Sequence, residues 1–302
     1  MELLIDFNWL YNRSLFAFEN LTNDEGVPTG GIYGTLKTIS SFIDMGYKNI
    51  TICLDDYPEE RKKLFEGYKA NREPNETREK AKKCNQSLFE ILSHLGCKIY
   101  KEVGKEADDL IASKAMELAK ENRECIIFSS DKDLQQLMVF PQVKISSKIE
   151  QGKLMFKTAK DTIEKIGCEP QYLRVFRPAR GDQSDGIPSA VPRVQAKVIL
   201  PVAKSIQDNL MLGLTLDESY SKAVESNRDS MTKSAYEKFV NGKNQYIINF
   251  LLADLLKWYH SPIEMEQLPF RQLNDELLYQ ILDRFQLREF KEWYVNKKMF
   301  NY

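Results

Sequence analysis

The chain has 302 residues, 42% of them hydrophobic and 29% charged, so it can bury a sizeable core without disulfides and is not expected to be disordered. Its net charge of -1 gives no overall basic field, so any nucleic-acid partner would have to bind local basic patches. No apolar run is long enough to cross a bilayer, and the N-terminus lacks the features of a signal peptide. We therefore expect a cytoplasmic protein without a membrane partner.

Soft metal ligands are scarce in this sequence. The five cysteines form no CxxC pair and are expected to be reduced, structural thiols. The two histidines are too few for an ordinary zinc site built from His and Cys. Any metal ion would therefore have to be held by oxygen.

The N-terminal half alternates short β-branched runs with longer helical patterns. Strands are predicted at residues 2–6, 49–54 and 124–129, and helices at residues 33–44, 78–95 and 106–119. This alternation predicts a mostly parallel sheet flanked by helices. In such sheets the ligand site lies at the carboxyl ends of the strands.

The pattern changes after Phe140. A hairpin is predicted around Gln151-Gly152, followed by a helix at residues 158–166 and a stretch at residues 177–192 that is rich in Pro and Gly. From about Val202 onward the sequence is largely helical, which places a soft boundary near residue 200.

A set of nine acids stands out because each lies at the end of a predicted element. Any one of them alone would more often be a helix cap or a solvated turn residue. Where several acids converge, however, their carboxylates repel one another, and a bound divalent cation would neutralise their negative charge. The nine acids are Asp6, Asp55, Glu106, Asp108, Asp109, Asp131, Asp133, Asp182 and Asp185.

Oxygen ligands favour Mg²⁺ or Mn²⁺ over Zn²⁺. Two such ions roughly 4 Å apart would activate a water molecule and stabilise the leaving oxygen of a phosphodiester, so no protein nucleophile would be needed. The sequence fits this, because it contains no apparent Ser/His/Asp or Cys/His grouping and no Walker or dinucleotide glycine motif.

Six groups of short motifs follow one another between Leu3 and about Lys197. Each is weak alone, but together and in this order they resemble the 5′-nuclease family, which includes flap endonucleases, phage 5′-exonucleases and the 5′-3′ exonuclease domain of bacterial DNA polymerase I. The motifs are Leu4-Ile-Asp6 with Asn8-Trp-Leu-Tyr11; Gly30-Gly-Ile-Tyr-Gly34; Leu54-Asp55 with Arg61 and Tyr68-Lys-Ala-Asn-Arg72; Glu106-Ala-Asp-Asp109; Ser130-Asp-Lys-Asp-Leu-Gln-Gln-Leu137; and Gly181-Asp-Gln-Ser-Asp185-Gly-Ile-Pro188.

The resemblance implies an α/β fold of the PIN-like kind, with a mostly parallel central sheet flanked by helices. Residues 1–200 would form the catalytic domain, with a helical arch at about 68–95 and a divergent helix-hairpin-helix segment at about 172–200. Residues 201–302 would form a helical C-terminal region, which is a candidate contact for replication proteins.

The resemblance also implies a site for two Mg²⁺ or Mn²⁺ ions. Asp56 competes with Asp55 as a ligand, and we favour Asp55 because it directly follows the apolar strand. The ligands nearer the first ion would be Asp6, Asp55, Glu106, Asp108 and Asp131. Those nearer the second ion would be Asp109, Asp133, Asp182 and Asp185.

The base of the arch would supply the basic residues of catalysis. Lys69 and Arg72, three residues apart, could face one phosphate and stabilise charge in the transition state. Tyr68 could stack on a terminal base, and Arg61 is a further candidate for nucleic-acid binding. A solvated basic helix turn is the alternative interpretation of this segment.

The chain departs from the family pattern after Pro188, where members usually carry a glycine-rich hairpin that contacts a duplex phosphate. Here the glycines are replaced near Ala190, Arg193 and Gln195. Side chains at these places are expected to restrict positive φ and to keep a phosphate farther from the backbone. Arg193 and Lys197 would then bind the duplex through their side chains.

The predicted function is that of a metal-dependent 5′-3′ exonuclease and structure-specific flap endonuclease. Its substrate would be DNA with 5′ ends or 5′ flaps, or an RNA–DNA hybrid at a primer, in the cytoplasm of a cell or of a phage's host. A PIN-like ribonuclease is one alternative, which the arch motif and the segment from Asp182 to Pro188 disfavour. A non-catalytic replication accessory protein is the other, and the acid at all nine positions disfavours it.

Overall fold

One sheet organises the N-terminal half of the protein. The computed structural model describes residues 1–71 and 75–299, and within them a six-stranded sheet has the order β3-β2-β1-β4-β5-β6. The first five strands are parallel, and β6 pairs with β5 in the antiparallel sense. The strands are β1 (Glu2–Asp6), β2 (Ile50–Cys53), β3 (Lys98–Tyr100), β4 (Cys125–Phe128), β5 (Val143–Glu150) and β6 (Lys153–Phe156).

Helices cover both faces of the sheet, which is why the central strands are continuous apolar runs. Leu3, Leu4 and Ile5 of β1 are all fully buried, although successive side chains point to opposite faces. The helices are α1 (Phe7–Ala17), α2 (Gly30–Asp44), α3 (Glu59–Leu64), α4 (Glu76–Ala81), α5 (Asn85–His94), α6 (Ala107–Lys120), α7 (Ala159–Ile166), α8 (Leu173–Arg180), α9 (Ala196–Met211), α10 (Leu216–Ser226), α11 (Lys233–Asn241), α12 (Lys243–Ala253), α13 (Asp275–Arg284) and α14 (Arg288–Met299).

The mostly parallel sheet flanked by helices is the predicted fold class, and the three predicted strands and the hairpin at Gln151-Gly152 are confirmed. The single predicted helix at residues 78–95 is wrong, because α4 and α5 are separate helices joined by a 3₁₀ turn. The sequence pattern also missed α1 and the short strand β3. Helix α1 follows β1 without a turn, since Asp6 ends the strand and caps the helix through the Trp9 amide.

A second hydrophobic core is formed by α8 to α12. Tyr220 and Tyr246 are buried in it with their rings 4.5 Å apart. The predicted boundary near residue 200 falls inside α9, and the division into two domains stays a prediction. In the described residues, α8 and α9 flank the segment at 181–195, but a helix-hairpin-helix motif there also stays a prediction.

The C-terminal residues return to the first core. Leu278, Leu282 and Phe290 of α13 and α14 are buried with residues of the sheet and of α2 and α5. Before that, residues 261–274 form neither helix nor strand, and Gln267 forms an isolated bridge to Tyr100 of β3. Across residues 1–71 and 75–299, no helix has the length and apolar character needed to span a membrane.

Candidate active site

The site lies where the strand order of the sheet reverses, between β1 and β4. Asp6 is the last residue of β1, Asp55 follows β2, and Asp131 follows β4. Because these strands are parallel, their carboxyl ends meet at one edge, where ligands bind in open α/β sheets. A cavity of about 240 Å³ opens there, and the acids that line it are Asp6, Asp55, Glu106, Asp108 and Asp131.

Two of these carboxylates are crowded enough to hold protons near neutral pH. Burial raises the pKa of Asp6 to about 7, and repulsion from Asp55 adds to this, although the Trp9 amide and the Ser129 hydroxyl donate hydrogen bonds. Desolvation by surrounding protein atoms raises the pKa of Asp131 to about 8, although the residue still has a face open to solvent. Repulsion from nearby acids contributes to both shifts.

Asp55 is fixed from two sides. The Asn8 side-chain amide donates to it at 2.5 Å, and the Ala107 backbone N–H donates at 2.8 Å, so α1 and the start of α6 both orient this carboxylate. Asp56 does not line the cavity. It pairs with Lys101 at 2.8 Å and accepts from Gly104, which lowers its pKa.

The three acids at the start of α6 converge on the Arg61 guanidinium. Arg61 is only 6% exposed, bonds to Glu106, and lies 3.2 Å from Asp108 and 2.9 Å from Asp109. Burial and repulsion from Asp108 raise the pKa of Asp109, whereas Arg61 lowers that of Asp108 against the effect of burial. A protein cation therefore balances part of the charge that the sequence assigned to metal.

Arg177 plays the same part for two other acids. Its Nε lies 2.5 Å from Asp133 Oδ1, and its Nη2 donates to Asp182 Oδ2 at 2.7 Å. Burial raises the pKa of Asp133, with Arg177 opposing the shift. The pKa of Asp182 is lowered, because hydrogen bonds from Ser184 and Arg177 outweigh its burial.

Lys69 connects the start of α6 to the loop that carries Asp185. Its Nζ bonds to Glu106 and lies 4.0 Å from Asp185, and its backbone N–H donates to the Asp185 carbonyl at 2.7 Å. Lys69 has φ of 55°, a left-handed conformation that is uncommon for a residue with a side chain and often found at functional sites. This backbone places the ammonium at the cavity wall.

The nine acids thus divide by their partners. In the part of the chain that the structure describes, Asp6, Asp55 and Asp131 form no ion pair with Lys or Arg. Within residues 1–71 and 75–299, no three His, Cys, Asp or Glu side chains lie close enough together to hold a metal ion as they stand. The donor set still fits a hard divalent cation, because it consists of repelling carboxylate oxygens with raised pKa values at one cavity.

Comparison with known proteins assigns the chain to a family. Residues 1–167 match the family model described as "5′-3′ exonuclease, N-terminal resolvase-like domain". The chain belongs to the 5′-nuclease family. It is therefore a nuclease, an enzyme that hydrolyses phosphodiesters, as the sequence motifs predicted.

Curated relatives and solved structures agree with this family. A 5′-3′ exonuclease of Buchnera aphidicola from Schizaphis graminum is 33% identical over 68% of this chain and 70% of its own length. DNA polymerase I of Thermus thermophilus is 32% identical over 67% of this chain but only 24% of its own length, so the nuclease spans about a quarter of that polymerase.

The fold is shared with nucleases of known structure. Phage T5 5′-exonuclease with bound zinc ions has a TM-score of 0.63 at 14% identity, covering 94% of this chain and 98% of the other. The T5 flap endonuclease in a pseudo-enzyme–product complex with DNA and metal ions has a TM-score of 0.62 at 16% identity, covering 96% and 98%.

The residues predicted to contact DNA differ in how exposed they are in the structure. Tyr68 is only 4% exposed and donates its hydroxyl to Glu106 at 2.6 Å, so its ring is not open to a base in this conformation. Arg61 is buried among acids rather than exposed to a nucleic acid. Lys69 faces the cavity, and Arg72 lies outside the described residues. The DNA-binding roles of these residues stay predictions.

The segment between α8 and α9 contains a left-handed residue that is not glycine. Arg193 has φ of 62°, so the expectation that a side chain there would restrict positive φ is wrong. Arg193 and Lys197 are both exposed at the start of α9, and their contact with a duplex stays a prediction.

The glycine at position 186 has a structural reason in this nuclease. It adopts φ of 73°, and a Cβ there would come within 2.6 Å of the Gly67 carbonyl oxygen. The absence of a side chain therefore lets the loop carrying Asp185 approach the segment before Lys69.

Sequence reasoning missed three partners of the acids. Asn8 lies in a quoted motif but was given no role, and Arg177 was not considered. Trp258 lies in the C-terminal region, outside the quoted motifs, yet its indole N–H donates to Asp109 at 2.8 Å. Buried acids require partners, so an arginine five residues before Asp182 was a usable signal, whereas nothing local indicated Trp258.

Proposed function

We propose that this nuclease is a divalent-metal-dependent 5′-3′ exonuclease and structure-specific flap endonuclease acting on DNA. The observation that carries the proposal is the cavity at the strand switch point, which Asp6, Asp55 and Asp131 line without a cation partner among the described residues. Carboxylates that repel one another and keep raised pKa values are poised to exchange protons for a hard cation.

The residues supply ligands for two ions, as the sequence predicts. When bound, divalent ions would activate the attacking water and stabilise the leaving oxygen. Asp6, Asp55, Glu106, Asp108 and Asp131 would serve the first ion, with Asn8 and Ala107 holding Asp55 in its orientation. Asp109, Asp133, Asp182 and Asp185 would serve the second. Mg²⁺ and Mn²⁺ suit such an all-oxygen set.

Lys69 is the residue we assign to the phosphate. Its ammonium stands at the wall of the cavity, where it can donate to a phosphoryl oxygen as negative charge develops. Burial opposes its protonated form, but Glu106 and Asp185 raise its pKa, so it remains a cation at neutral pH. We assign Arg72 the same role from sequence.

The substrate is assigned as DNA with 5′ ends or 5′ flaps, with RNA–DNA hybrids at primers as a further substrate. The family supports the 5′ polarity, and the T5 relative that was solved with DNA supports the class of nucleic acid. The exposed side chains of Arg193 and Lys197 would bind the DNA duplex. Arg61 and Tyr68 would hold Glu106 in position below the bound DNA strand. Replication proteins would bind residues 201–302.

The decisive experiment is cleavage of a 5′-labelled flap duplex and of a matched single strand, with Mg²⁺, with Mn²⁺ and with EDTA. Wild-type protein should cut near the flap junction and release nucleotides from 5′ ends only when metal is present. Asp131→Ala should lose cutting, because it removes a cavity carboxylate. Asp229→Ala, which removes an exposed acid away from the cavity, is the matched control.

Cleavage that persists in EDTA, or that Asp131→Ala leaves intact, would refute the proposed site. Binding of the flap without cleavage under every metal condition would instead favour the accessory-protein alternative. A preference for RNA over the DNA flap would support a ribonuclease.

A further inference from the structure

Arg177 occupies the space between two acids that the family pattern assigns to metal. It reaches from α8 to Asp133, which begins a 3₁₀ turn after β4, and to Asp182, which follows α8. Its side chain is 11% exposed, and those of Asp133 and Asp182 are 21% and 24% exposed. A guanidinium in this position supplies positive charge to the same oxygens that a second ion would need.

The contact with Asp133 is close but poorly directed. Arg177 Nε and Asp133 Oδ1 lie 2.5 Å apart, yet both atoms are buried and neither has a hydrogen-bond partner. The remaining bond from Nη2 to Asp133 Oδ2 is long, at 3.2 Å. A buried oxygen without a hydrogen bond is costly, so a better-directed donor or a metal ion would stabilise Asp133 more than Arg177 does.

Arg174, one turn earlier on α8, shows what a well-formed pair on this helix looks like. It binds Asp254 through two hydrogen bonds of 2.9 and 2.8 Å. This is the parallel two-bond geometry that makes Arg–carboxylate pairs strong. Arg177 instead divides its guanidinium between two acids and forms no such pair.

Arg177 also borders a second cavity, which is basic. Among the described residues, this cavity of about 450 Å³ is lined by Lys132, Lys165 and Arg180 together with Arg177, and by a single acid, Asp182, which is already paired. Four cations around one cavity favour an anion such as a phosphodiester. Arg177 is therefore within reach of two kinds of partner, the acids on one side and an anion on the other.

We propose that Arg177 competes with the second divalent ion for Asp133 and Asp182, and that a phosphodiester in the basic cavity releases the two acids by pairing with Arg177. This inference rests on the proposed metal-dependent function. It predicts that the free nuclease binds one ion at the Asp6, Asp55 and Asp131 cavity more tightly than it binds the second. Substrate phosphate and the second ion would then bind cooperatively, because each removes a competitor of the other.

The test is Mn²⁺ binding to the full chain, with bound ions counted by electron paramagnetic resonance and affinities measured by calorimetry. Wild-type protein should bind a first ion tightly and a second weakly. Arg177→Gln should tighten the second ion by about tenfold or more, the size of effect seen when partners of metal ligands are changed. Arg174→Gln, which breaks an Arg–Asp pair on the same helix, should leave both ions as in wild type.

Sulfate at matched ionic strength provides a second measurement, which probes the basic cavity of the wild-type protein directly. It should tighten the second ion in wild-type protein and have no such effect in Arg177→Gln. If Arg177→Gln does not fold, Arg177→Lys keeps a cation with a different donor geometry and should give an intermediate affinity for the second ion.

Two equally tight ions in wild-type protein, or a second affinity that neither Arg177 variant changes, would overturn this inference and leave the proposed function standing. Absence of bound Mn²⁺ from every protein would overturn the proposed function as well. Lack of any sulfate effect in wild type would overturn the coupling to the basic cavity.

Discussion

The two halves of the acidic site differ in what neutralises them. On the β1 and β4 side, Asp6, Asp55 and Asp131 have no Lys or Arg partner among the described residues and keep raised pKa values. On the other side, Arg61 and Arg177 hold the acids of α6 and of the loops around it. The same set of motifs therefore forms one half of the acidic site that lacks a Lys or Arg partner among the described residues and another half that already contains arginines.

This difference shows that acids of one cluster can have different electrostatic environments. A buried guanidinium favours the anionic form of the carboxylates beside it and opposes the effect of burial on their pKa, whereas carboxylates without one repel and weaken the fold until a cation binds. The first half should therefore respond mainly to metal and pH. The second should respond mainly to loss of its arginines.

The largest effect should come from breaking the paired half at Arg61. In Arg61→Met, three acids at the start of α6 lose a buried cation, and the expected loss in free energy of unfolding is about 3–5 kcal/mol. Urea unfolding in EDTA measures it. Arg123→Met, which removes an exposed arginine, should have little effect on the free energy of unfolding. Equal losses in the two variants would contradict the structural role of Arg61.

Next in size is the effect of Lys69 on catalysis. Lys69→Met should lower the rate constant of flap cleavage by about 10²–10³-fold, as loss of one preorganised donor does in other enzymes. Lys63→Met, on the exposed face of α3, is the control and should cleave at the wild-type rate. Single-turnover cleavage at saturating Mg²⁺ gives the comparison. A small change in the rate constant of Lys69→Met would show that Lys69 does not contact the phosphate.

The unpaired half should make the metal-free protein sensitive to pH. The folded pKa of Asp6, about 7, lies above its ordinary value of 3.8, so folding favours the protonated acid. Its contribution to stability is present below pH 3.8 and is lost as the pH rises through about 7. Since one pKa unit corresponds to about 1.4 kcal/mol, the loss is on the order of a few kcal/mol.

Thermal melting in EDTA between pH 5 and 8 checks this, by comparison of wild type with Asp6→Asn. Asn cannot ionise but can still cap α1, so the variant should show a smaller fall in melting temperature as the pH rises. Saturating Mg²⁺ should reduce the fall in wild type. A parallel pH profile for both proteins would refute the assignment.

The smallest effect should come from Trp258, which reaches the paired half from the C-terminal region. Trp258→Phe removes the hydrogen bond to Asp109 but keeps an aromatic ring. We expect the Mg²⁺ concentration that gives half-maximal cleavage to rise about tenfold. Trp293→Phe removes a matching indole bond to Asp44 and should not change it. Identical Mg²⁺ titrations of the two variants would show that Trp258 only packs.

Much of this arrangement could be predicted from local sequence. The apolar runs of β1, β2 and β4 identified the strands, and acids placed directly after them had to share one edge of a parallel sheet. The cluster in Glu106-Ala-Asp-Asp109 could also be predicted from local sequence, because residues in the first turn of a helix necessarily lie close together. These features depend on neighbours in the chain.

The partners of the acids could not be predicted in this way. Arg61 reaches Asp109 across 48 positions, and Trp258 reaches it across 149, so no periodicity or spacing links them. The same holds for Tyr68, which the motif suggested as a stacking residue but which packing turns toward Glu106. Side-chain direction depends on which elements pack together.

The sequence by itself therefore determined the fold class, the family and the positions of the carboxylates, because strand and helix patterns and short motifs are local. Only the tertiary structure decided which carboxylates receive a protein cation and which are left for a metal. The reason is that desolvation and charge pairing depend on distances between segments far apart in the chain, and those distances are set when the helices pack on the sheet.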